Sequence, residues 1–332
     1  MSILDQGRIL VTGGAGFIGS ALIWALNRRG IKDIVIADLL GSDGKWRNLV
    51  PLRFSYYIEA DRLRHKLEEN PDFLGPINFV FHLGACSNTT EKDASYLVEN
   101  NFEYTRFLAH WAIDQGSRFL YASSAATYGD GKQGMDDRDE DLARLRPLNP
   151  YAYSKQLFDR YAQRHALFED IVGFKYFNVF GPNEYHKAEM RSLVIKAYQQ
   201  IRDSGSVRLF KSHHPDYPDG GQMRDFLYVK DAVAIRIHLA EQDTFKGIFN
   251  VGSGIASSWI DLVRPVFESL KLPEAIEFMD MPEGIRSKYQ YFTRAEISKL
   301  RESGYDPPPT PLDNAVRDYV TRYLVPDRRL GD

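Results

Sequence analysis

The sequence predicts an α/β protein in which a doubly wound parallel sheet is joined by a smaller, interleaved C-terminal lobe. Strand-length apolar runs alternate with helix patterns between residues 9 and 182, which indicates parallel strands connected by crossover helices. The first apolar run also leads directly into a glycine-rich turn and then a helix, as at the start of many such sheets.

The first strand, residues 9–11, is followed by three glycines with the spacing Gly13-x-x-Gly16-x-x-Gly19. Strand, glycine turn and helix together are the context that a dinucleotide-binding fingerprint needs. Gly13 permits the tight turn, Gly16 lets the backbone approach a pyrophosphate, and Gly19 lets helix and strand pack closely. The free N–H groups and the dipole at the helix start would hold the phosphates.

The second strand, residues 34–37, ends in Asp38. This is about 20 residues after the fingerprint, where a carboxylate that binds ribose belongs. The alternative is that Asp38 caps a turn. Lys45 lies in a turn-rich loop, where it could reach a 2'-phosphate on the adenosine ribose or remain a solvated loop lysine.

The remaining elements follow in alternation and then become less regular. Further strands are predicted over residues 54–59, 78–82, 118–122, 171–176 and 249–252. Helices are predicted over residues 61–69, 95–115, 188–202, 258–270, 293–303 and 311–323, with others starting at Pro150 and ending near Glu241. We expect a dinucleotide-binding domain over 1–178 plus about 225–252, and a substrate-binding lobe over about 179–224 and 253–332.

Composition narrows the classes of protein further. The 332 residues carry a net charge of -3 with both signs mixed, so neither a nucleic acid nor a membrane is expected as a partner. Cys86 is the single cysteine, which excludes a disulfide framework and fits a reducing cytosol. No signal-peptide core and no apolar run of the ~20 residues that span a bilayer is present. We therefore expect a cytoplasmic protein. We expect no metal site, because adjacent histidines such as His213 and His214 rarely bind one ion together.

Tyr151 and Lys155 are the strongest candidates for chemistry. They lie four residues apart on a predicted helix and so share one face. A nearby ammonium group favours the phenolate and lowers the pKa of a tyrosine, which could then exchange a proton with a substrate hydroxyl. Ser124, at the end of the fifth strand, can share a hydrogen bond with the same oxygen. Tyr153 faces away from Lys155 and is not expected to act.

Two other stretches suggest contacts with a cofactor. Small residues, including Cys86, follow the fourth strand, and they let a ligand come close to the backbone. Cys86 itself is expected to fill space rather than act as a nucleophile. Asn100 and Asn101 lie within a helix pattern, where asparagine is unfavourable, which hints at a polar role facing the cofactor or at a tolerated surface position.

Several motifs together resemble one family of enzymes. They are residues 84–87 (GACS), 121–129 (YASSAATYG), 172–182 (VGFKYFNVFGP), 186–187 (HK), 224–226 (RDF) and 289–293 (YQYFT). With the glycine turn and the Tyr151/Lys155 pair, the chain resembles the extended short-chain dehydrogenases/reductases (Rossmann fold), and more closely the ADP-L-glycero-D-manno-heptose 6-epimerases.

The resemblance implies an isomerase that inverts C6 of an ADP-heptose through a 6-ketone with tightly held NADP, for the heptose precursor of the lipopolysaccharide core. It also implies a homo-oligomer, a pentamer by analogy. The implied cofactor contacts are Phe17, Ile18, Asp38, Leu39, Lys45, Leu83, Gly84, Ala85, Cys86, Ser87, Asn100, Lys155, Val179 and Lys187. The implied substrate contacts are Ser124, Asn178, Glu189, Lys196, Phe210, Arg224 and Tyr289.

Within the resemblance, Tyr151 and Lys187 take the two proton-transfer roles. The C6 hydrogen has no neighbouring carbonyl, so removal as hydride is more feasible than deprotonation. A ketone that turns over presents its oxygen to the opposite side of the site, where a second acid/base is useful. Lys187 follows the Gly181-Pro182 turn and could reach that side, or it could be an exposed lysine.

This chain departs from the family at several positions. Leu39 stands where a polar residue that binds the ribose is usual, Glu189 where a small hydroxyl residue is usual, and Lys196 where a histidine is usual. The loop over residues 213–221 is longer. Asp38 alone would favour NAD, whereas Lys45 favours NADP. Two other readings stay open: another nucleotide-sugar epimerase or 4,6-dehydratase, and a non-catalytic NADP-binding sensor.

Overall fold

A seven-stranded parallel sheet forms the centre of the computed structural model, which describes residues 3–138, 141–286 and 289–332. The strands lie side by side in the order β3-β2-β1-β4-β5-β6-β10. Their bounds are β1 Arg8–Thr12, β2 Ile34–Asp38, β3 Tyr56–Glu59, β4 Ile77–His82, β5 Arg118–Ser124, β6 Val172–Tyr176 and β10 Gly247–Val251. This is the doubly wound arrangement that the alternating pattern predicts.

Successive residues of the central strands face opposite sides of the sheet, and both sides are covered. Ile9 and Val11 of β1 belong to one buried apolar cluster, and Leu10 belongs to the other. In register, Leu10 lies beside Val35 of β2 and Val80 of β4. A strand that is apolar on both faces can be stable only between two layers of helices, which explains the uninterrupted apolar runs in the sequence.

The helices divide between the two faces. The described helices are α1 Phe17–Arg28, α2 Ala60–Glu69, α3 Ala94–Val98, α4 Tyr104–Asp114, α5 Pro150–Arg164, α6 Leu193–Ser204, α7 Val229–Ala240, α8 Trp259–Leu270, α9 Glu283–Arg286, α10 Ser298–Glu302 and α11 Leu312–Tyr319. Apolar side chains of α2, α4 and α5 cover one face of the sheet. Those of α1 and α7 cover the other face, and α6, α8 and α11 continue the same apolar cluster into the second lobe.

Two small sheets build the second lobe beside the carboxyl ends of the large sheet. Strands β7 (Asn178–Phe180), β9 (Met223–Tyr228) and β11 (Ala256–Ser258) form one sheet. Strands β8 (Val207–Phe210) and β12 (Ile276–Met279) form the other. The helix α7 that follows β9 packs against α1 of the large domain, so the chain crosses between the lobes several times.

Two predicted helices are wrong in their extent, and a third has the predicted extent but contains a π-helical turn. The helix predicted over residues 95–115 is interrupted by a π-helical turn, Glu99–Glu103. The helix predicted from residue 188 starts at Leu193, because Ala188 has φ 45° and ψ -121°, which no right-handed helix accepts. The helix predicted over 293–303 is reduced to α10, since Thr293 and Ala295 are hydrogen-bonded to Asp225 instead.

None of the helices in the described part of the chain is long and apolar enough to cross a membrane.

Gly19→Ala is expected to destabilise the fold strongly. A Cβ at Gly19 would lie 2.1 Å from the carbonyl oxygen of Gly13, so α1 would have to move away from the turn. We expect the free energy of unfolding, measured by urea denaturation, to fall by about 3 kcal/mol or more. The matched control is Gly116→Ala, where φ is +69° but the space is open, and its expected cost is about 1 kcal/mol. Equal losses in the two variants would contradict this packing.

Candidate functional site

A cleft of about 1000 Å³ opens at the carboxyl ends of the strands in the large sheet. Ligands of doubly wound folds bind at this edge. Nineteen of the residues predicted for the site lie on its walls: Gly13, Gly16, Phe17, Ile18, Gly19, Asp38, Lys45, Leu83, Gly84, Ala85, Cys86, Ser87, Ser124, Tyr151, Lys155, Asn178, Val179, Lys187 and Glu189.

The glycine turn has the shape that a dinucleotide pyrophosphate requires. Gly13 has φ +68°, and a Cβ there would lie 2.6 Å from the amide nitrogen of Gly84. The helix α1 begins after Gly16 without a side-chain cap and without an acidic residue in its first turn. Its first N–H groups are therefore available to an anion. The residues present fit a nicotinamide dinucleotide.

Asp38 and Lys45 form an ion pair at one end of the cleft. The Lys45 Nζ lies 3.1 Å from Asp38 Oδ1, and the other carboxylate oxygen accepts the amide of Ala15 at 2.8 Å. Asp38 therefore orders the turn as well as reaching the cleft. Leu39 does not line the cleft, and its side chain is 49% exposed.

Tyr151 is 9% exposed and lies beside Ser124 at the end of β5. Burial raises the pKa of Tyr151, and its hydrogen bond with Ser124 partly offsets this. Lys155 is not among the groups that shift the pKa of Tyr151. Burial sets the direction of this shift, and the expectation that Lys155 makes the phenol more acidic stays a prediction.

Lys155 is fixed by the backbone of β5 rather than by the tyrosine. Its Nζ donates to the carbonyl of Ala122 at 3.0 Å. Burial lowers the pKa of Lys155 to about 8, while the negative charge of Asp159, one helical turn further along α5, acts in the opposite direction. Lys155 can therefore change charge in a mildly alkaline range.

Asp159 connects this lysine to β5. The fully buried carboxylate accepts hydrogen bonds from Tyr121 at 2.8 Å and from Ser123 at 2.7 Å. It also lies 3.9 Å from the Nζ of Lys175. Because Ser123 directly precedes Ser124, this carboxylate holds both the strand end and the charge next to Tyr151. Asp159 was not among the predicted site residues, although its i+4 spacing from Lys155 was a usable signal.

The π-helical turn exchanges the roles of two neighbouring asparagines. Asn101 is buried, accepts the amide of Cys86 at 2.8 Å, and donates to Ser154 at 3.0 Å. Asn100 donates to the carbonyl of Tyr96 and does not line the cleft. One extra residue per turn rotates the helix face, so Asn101 fixes the cleft-lining backbone. Cys86 is partly exposed on the cleft wall rather than buried.

Lys187 lines the cleft from a different element, the 3₁₀ segment Tyr185–Met190. Burial lowers the pKa of Lys187, and the charge of Glu184 partly offsets this. Its Nζ lies 5.3 Å from the centre of the Phe17 ring. The neighbouring Ala188 has a left-handed φ, which is strain of the kind that a surrounding structure must hold in place.

Glu184 provides that support. Its buried carboxylate accepts the amide and the hydroxyl of Ser192, both at 2.6 Å, and the amide of Gly181 at 3.3 Å. These bonds tie together both ends of the segment that carries Lys187. The sequence analysis did not find Glu184, because its partners are set by tertiary contacts.

The predicted substrate contacts divide into two groups. Asn178 and Glu189 line the cleft, whereas Lys196, Phe210, Arg224 and Tyr289 do not. Lys196 forms an exposed ion pair with Glu189 at 3.5 Å. Arg224 and Tyr289 stack near Trp259, which is itself a cleft residue. His186, Trp259, Gln290 and Thr293 line the cleft but were not predicted.

No group of three or more potential metal-ligating side chains occurs within residues 3–138, 141–286 and 289–332.

The chain is similar to known epimerases over most of its length. The NAD dependent epimerase/dehydratase family model matches residues 9–252. An ADP-L-glycero-D-manno-heptose-6-epimerase from Nitratidesulfovibrio vulgaris is 51% identical over 316 residues, covering 95% of this chain and 98% of that protein. The enzyme of the same name from Fusobacterium nucleatum is 44% identical, covering 96% and 98%.

Among solved structures, the Helicobacter pylori ADP-L-glycero-D-manno-heptose-6-epimerase has a TM-score of 0.78 at 26% identity, covering 96% of each chain. A Bacillus cereus UDP-glucuronic acid 4-epimerase variant, solved with NAD, has a TM-score of 0.77 at 25% identity, covering 95% and 99%. A nicotinamide cofactor is thus supported for the cleft. The chain belongs to the NAD dependent epimerase/dehydratase family, and within it to the ADP-L-glycero-D-manno-heptose-6-epimerases.

Proposed function

We propose that this protein inverts C6 of ADP-D-glycero-D-manno-heptose to give the L-glycero epimer, using bound NADP, and so supplies the heptose precursor of the lipopolysaccharide core. The observation that carries this proposal is that two candidates for proton transfer, the buried Tyr151 and the partly buried Lys187, line one cleft from different elements. An inversion needs proton transfer on two sides of the reacting carbon, which a simple dehydrogenase does not.

The cofactor would be held by the glycine turn, by the start of α1, by the Asp38/Lys45 pair and by Lys155. When bound, the oxidised nicotinamide supplies a hydride acceptor and a positive charge. Lys45 supports NADP over NAD, because its ammonium group already offsets the charge of Asp38 and leaves donors for a 2'-phosphate. Identification of the nucleotide released when the purified protein is denatured tests this preference.

Tyr151 would take the proton from the C6 hydroxyl of one epimer while in its phenolate form, which the positive charge of a bound oxidised nicotinamide would favour. Its hydroxyl is within hydrogen-bonding contact of Ser124, which orients it toward the substrate oxygen. Lys187 would exchange the proton with the oxygen of the other epimer. A neutral lysine can accept a proton, and burial favours that form by lowering the pKa of Lys187.

A 4,6-dehydratase fits the same cleft less well. Such an enzyme needs an acid and a carboxylate just after the strand that carries the catalytic serine. Here Ala125 and Ala126 occupy those positions on the cleft wall, and alanine cannot transfer a proton. A sensor without turnover would have no need for the Ser124, Tyr151 and Lys155 set.

Incubation of the purified protein with ADP-D-glycero-D-manno-heptose, without added cofactor, tests the proposal. The expected product is the L-glycero epimer, separated by chromatography. Turnover of a UDP-sugar in a parallel panel, with none of the ADP-heptose, would contradict it. We further propose a cytoplasmic homo-oligomer, a pentamer, which light scattering of the purified protein tests.

Asp159→Asn is expected to shift the pH dependence of the reaction. Burial lowers the pKa of Lys155, and Arg236 lowers it further. Asp159 and Cys86 act in the opposite direction and raise it. Removal of the carboxylate charge should bring the pKa of Lys155 further below about 8. If activity needs protonated Lys155, activity is lost as the pH rises through the pKa of Lys155. The kcat/KM of Asp159→Asn should therefore fall at a lower pH than the kcat/KM of the wild type.

The control for this prediction is Asp170→Asn, at an exposed carboxylate 3.8 Å from Lys246. It should leave the pH profile of kcat/KM where it is in the wild type. An Asp159→Asn profile that coincides with the wild type at every pH would contradict the role given to Asp159.

A further inference from the structure

A buried histidine lies directly behind the wall of the cleft. His82 is the last residue of β4, is 2% exposed, and precedes the cleft-lining residues Leu83 and Gly84. Its ring packs against those of Tyr104 and Phe119, with ring centres 5.5 and 5.8 Å away. An imidazole buried among aromatic side chains costs free energy of folding unless both of its nitrogens find a hydrogen-bond partner.

The first ring nitrogen of His82 leads to the glycine turn. Its Nδ1 lies 2.7 Å from the hydroxyl oxygen of Thr12, the last residue of β1. The same hydroxyl oxygen accepts the amide of Gly84 at 3.1 Å. Thr12 is followed directly by Gly13, whose φ of +68° forms the tight turn. His82 therefore holds the start of that turn beside the end of β4.

The second ring nitrogen leads to the start of α5. The Nε2 of His82 lies 2.8 Å from the hydroxyl oxygen of Thr105, just after the π-helical turn. Thr105 donates to the carbonyl of Asn101 at 2.8 Å, and the Asn101 side chain donates to Ser154 at 3.0 Å. The Ser154 hydroxyl donates to the carbonyl of Tyr151 at 2.7 Å. Four consecutive hydrogen bonds thus connect His82 to the backbone of Tyr151.

The directions of these hydrogen bonds assign the proton on the His82 ring. The Thr105 hydroxyl has one hydrogen, which it donates to the carbonyl of Asn101. Nε2 must therefore be the donor in its bond with Thr105, and a neutral ring then offers Nδ1 as an acceptor. Thr12 donates to Nδ1 and accepts from Gly84. With the proton on Nε2, every hydrogen in the series has an acceptor.

A protonated ring would break this series. Both nitrogens would then be donors, and the hydroxyl hydrogen of Thr12 would lose its acceptor. Burial lowers the pKa of His82 well below its usual value, and the positive charges of Lys155 and Arg236 act in the same direction. The surroundings of His82 therefore favour the neutral ring that the hydrogen bonds require.

We infer that His82, as the neutral Nε2–H tautomer, is a positioning residue that joins the glycine turn to the start of α5. The glycine turn would hold the cofactor, and α5 carries Tyr151 and Lys155. Their relative position decides whether the hydride acceptor and the proton acceptor face the same C6–O group, and a misplacement of about 1 Å can cost about 100-fold in rate. This inference rests on the proposed function for its effect on epimerisation, but not for the tautomer or the retention of nucleotide.

The tautomer is tested on the wild-type protein by ¹⁵N NMR of labelled histidines. The signal of His82 is the one that is missing from the spectrum of His82→Gln. It should show a proton on Nε2 and none on Nδ1, and it should stay unchanged from about pH 6 to 8, where an ordinary histidine loses its charge. A proton on Nδ1 alone, or a charged ring in this range, would overturn the inference.

Two substitutions separate the hydrogen bonds of His82 from its packing. His82→Leu removes both bonds, whereas His82→Gln keeps one donor and one acceptor. In His82→Leu, the ratio of bound nucleotide to protein after gel filtration should fall. The kcat for epimerisation, measured with NADP resupplied, should fall about tenfold or more. His82→Gln should recover most of both values. Equal losses in His82→Leu and His82→Gln would overturn the inference, and so would wild-type values in His82→Leu.

Ser117→Ala is the matched control, because it removes a buried hydrogen bond at the opposite end of the same two strands. The Ser117 hydroxyl donates to the carbonyl of Ile77, the first residue of β4. This variant should keep the nucleotide ratio and the kcat of the wild type, whatever it loses in stability to urea. Loss of nucleotide and turnover in Ser117→Ala as large as in His82→Leu would overturn the inference.

Thr105→Val replaces His82→Leu if the latter does not fold. Valine keeps the shape of the side chain but removes the acceptor for Nε2, so nucleotide and kcat should fall in the same direction. The two proposals fail separately. The predicted tautomer and nucleotide ratios, in a wild type that does not epimerise the heptose, would overturn the proposed function alone. Epimerisation that is unaffected in both His82→Leu and Thr105→Val would overturn the positioning role alone.

Discussion

Tyr151→Phe is expected to lower kcat for epimerisation by about 100-fold or more, because a positioned acid/base contributes about 10²–10⁴-fold. The ring remains, so the packing around a side chain that is 9% exposed is preserved. The hydroxyl that is lost makes the hydrogen bond with Ser124. The measurement is steady-state turnover of the ADP-heptose, together with the amount of nucleotide released on denaturation, which should be unchanged.

Tyr153→Phe is the matched control. Tyr153 lies on the same helix, α5, but is 45% exposed, and loss of its hydroxyl should leave turnover near the wild-type value. Wild-type activity in Tyr151→Phe would show that another group moves the proton. Loss of the bound nucleotide in Tyr151→Phe would indicate a structural effect instead.

Lys187→Met is expected to lower kcat by a similar factor. Methionine keeps much of the apolar length that packs near the Phe17 ring but has no group that can transfer a proton. Lys246→Met, at a lysine in an ion pair near the surface, is the control and should retain activity. The measurement is the turnover of Lys187→Met and of Lys246→Met, in preparations that contain equal amounts of bound nucleotide.

The two variants should fail in complementary ways. If Tyr151 and Lys187 serve opposite sides of the reacting carbon, each variant still oxidises one of the two epimers in a single turnover. Formation of reduced nicotinamide is followed by absorbance with each epimer in turn. The epimer that reacts should differ between Tyr151→Phe and Lys187→Met. The same preference in both variants would contradict the assignment of two sides.

The sheet could be predicted because its signals are local. Two signals predict the sheet: the alternation of apolar runs with helix patterns, and the fixed spacing of the glycines. Each signal depends only on residues that are neighbours in one strand or one turn. Gly13 shows this, since the tight turn after β1 requires its positive φ. Tyr151 and Lys155 could be paired because their four-residue spacing places them on one face of α5, whereas the role of Lys187 was predicted from the family resemblance.

The parts that could not be predicted depend on distant partners. Asn101 rather than Asn100 turns inward because of a π-helical turn. The segment around Ala188 departs from a helix because Glu184 ties its two ends together. The pKa of Tyr151 is raised because the finished cleft removes water from it. None of these effects has a periodic signal in the chain.

The origin of the hydrogen at C6 of the product tests the central claim most directly. The protein is incubated in heavy water with ADP-D-glycero-D-manno-heptose, and the L-glycero product is analysed by NMR and mass spectrometry. The account predicts that C6 keeps the substrate's own hydrogen, with no deuterium from solvent. Deuterium at C6 would mean that the carbon is deprotonated instead, and it would contradict the roles given to the cleft, to Tyr151 and to Lys187.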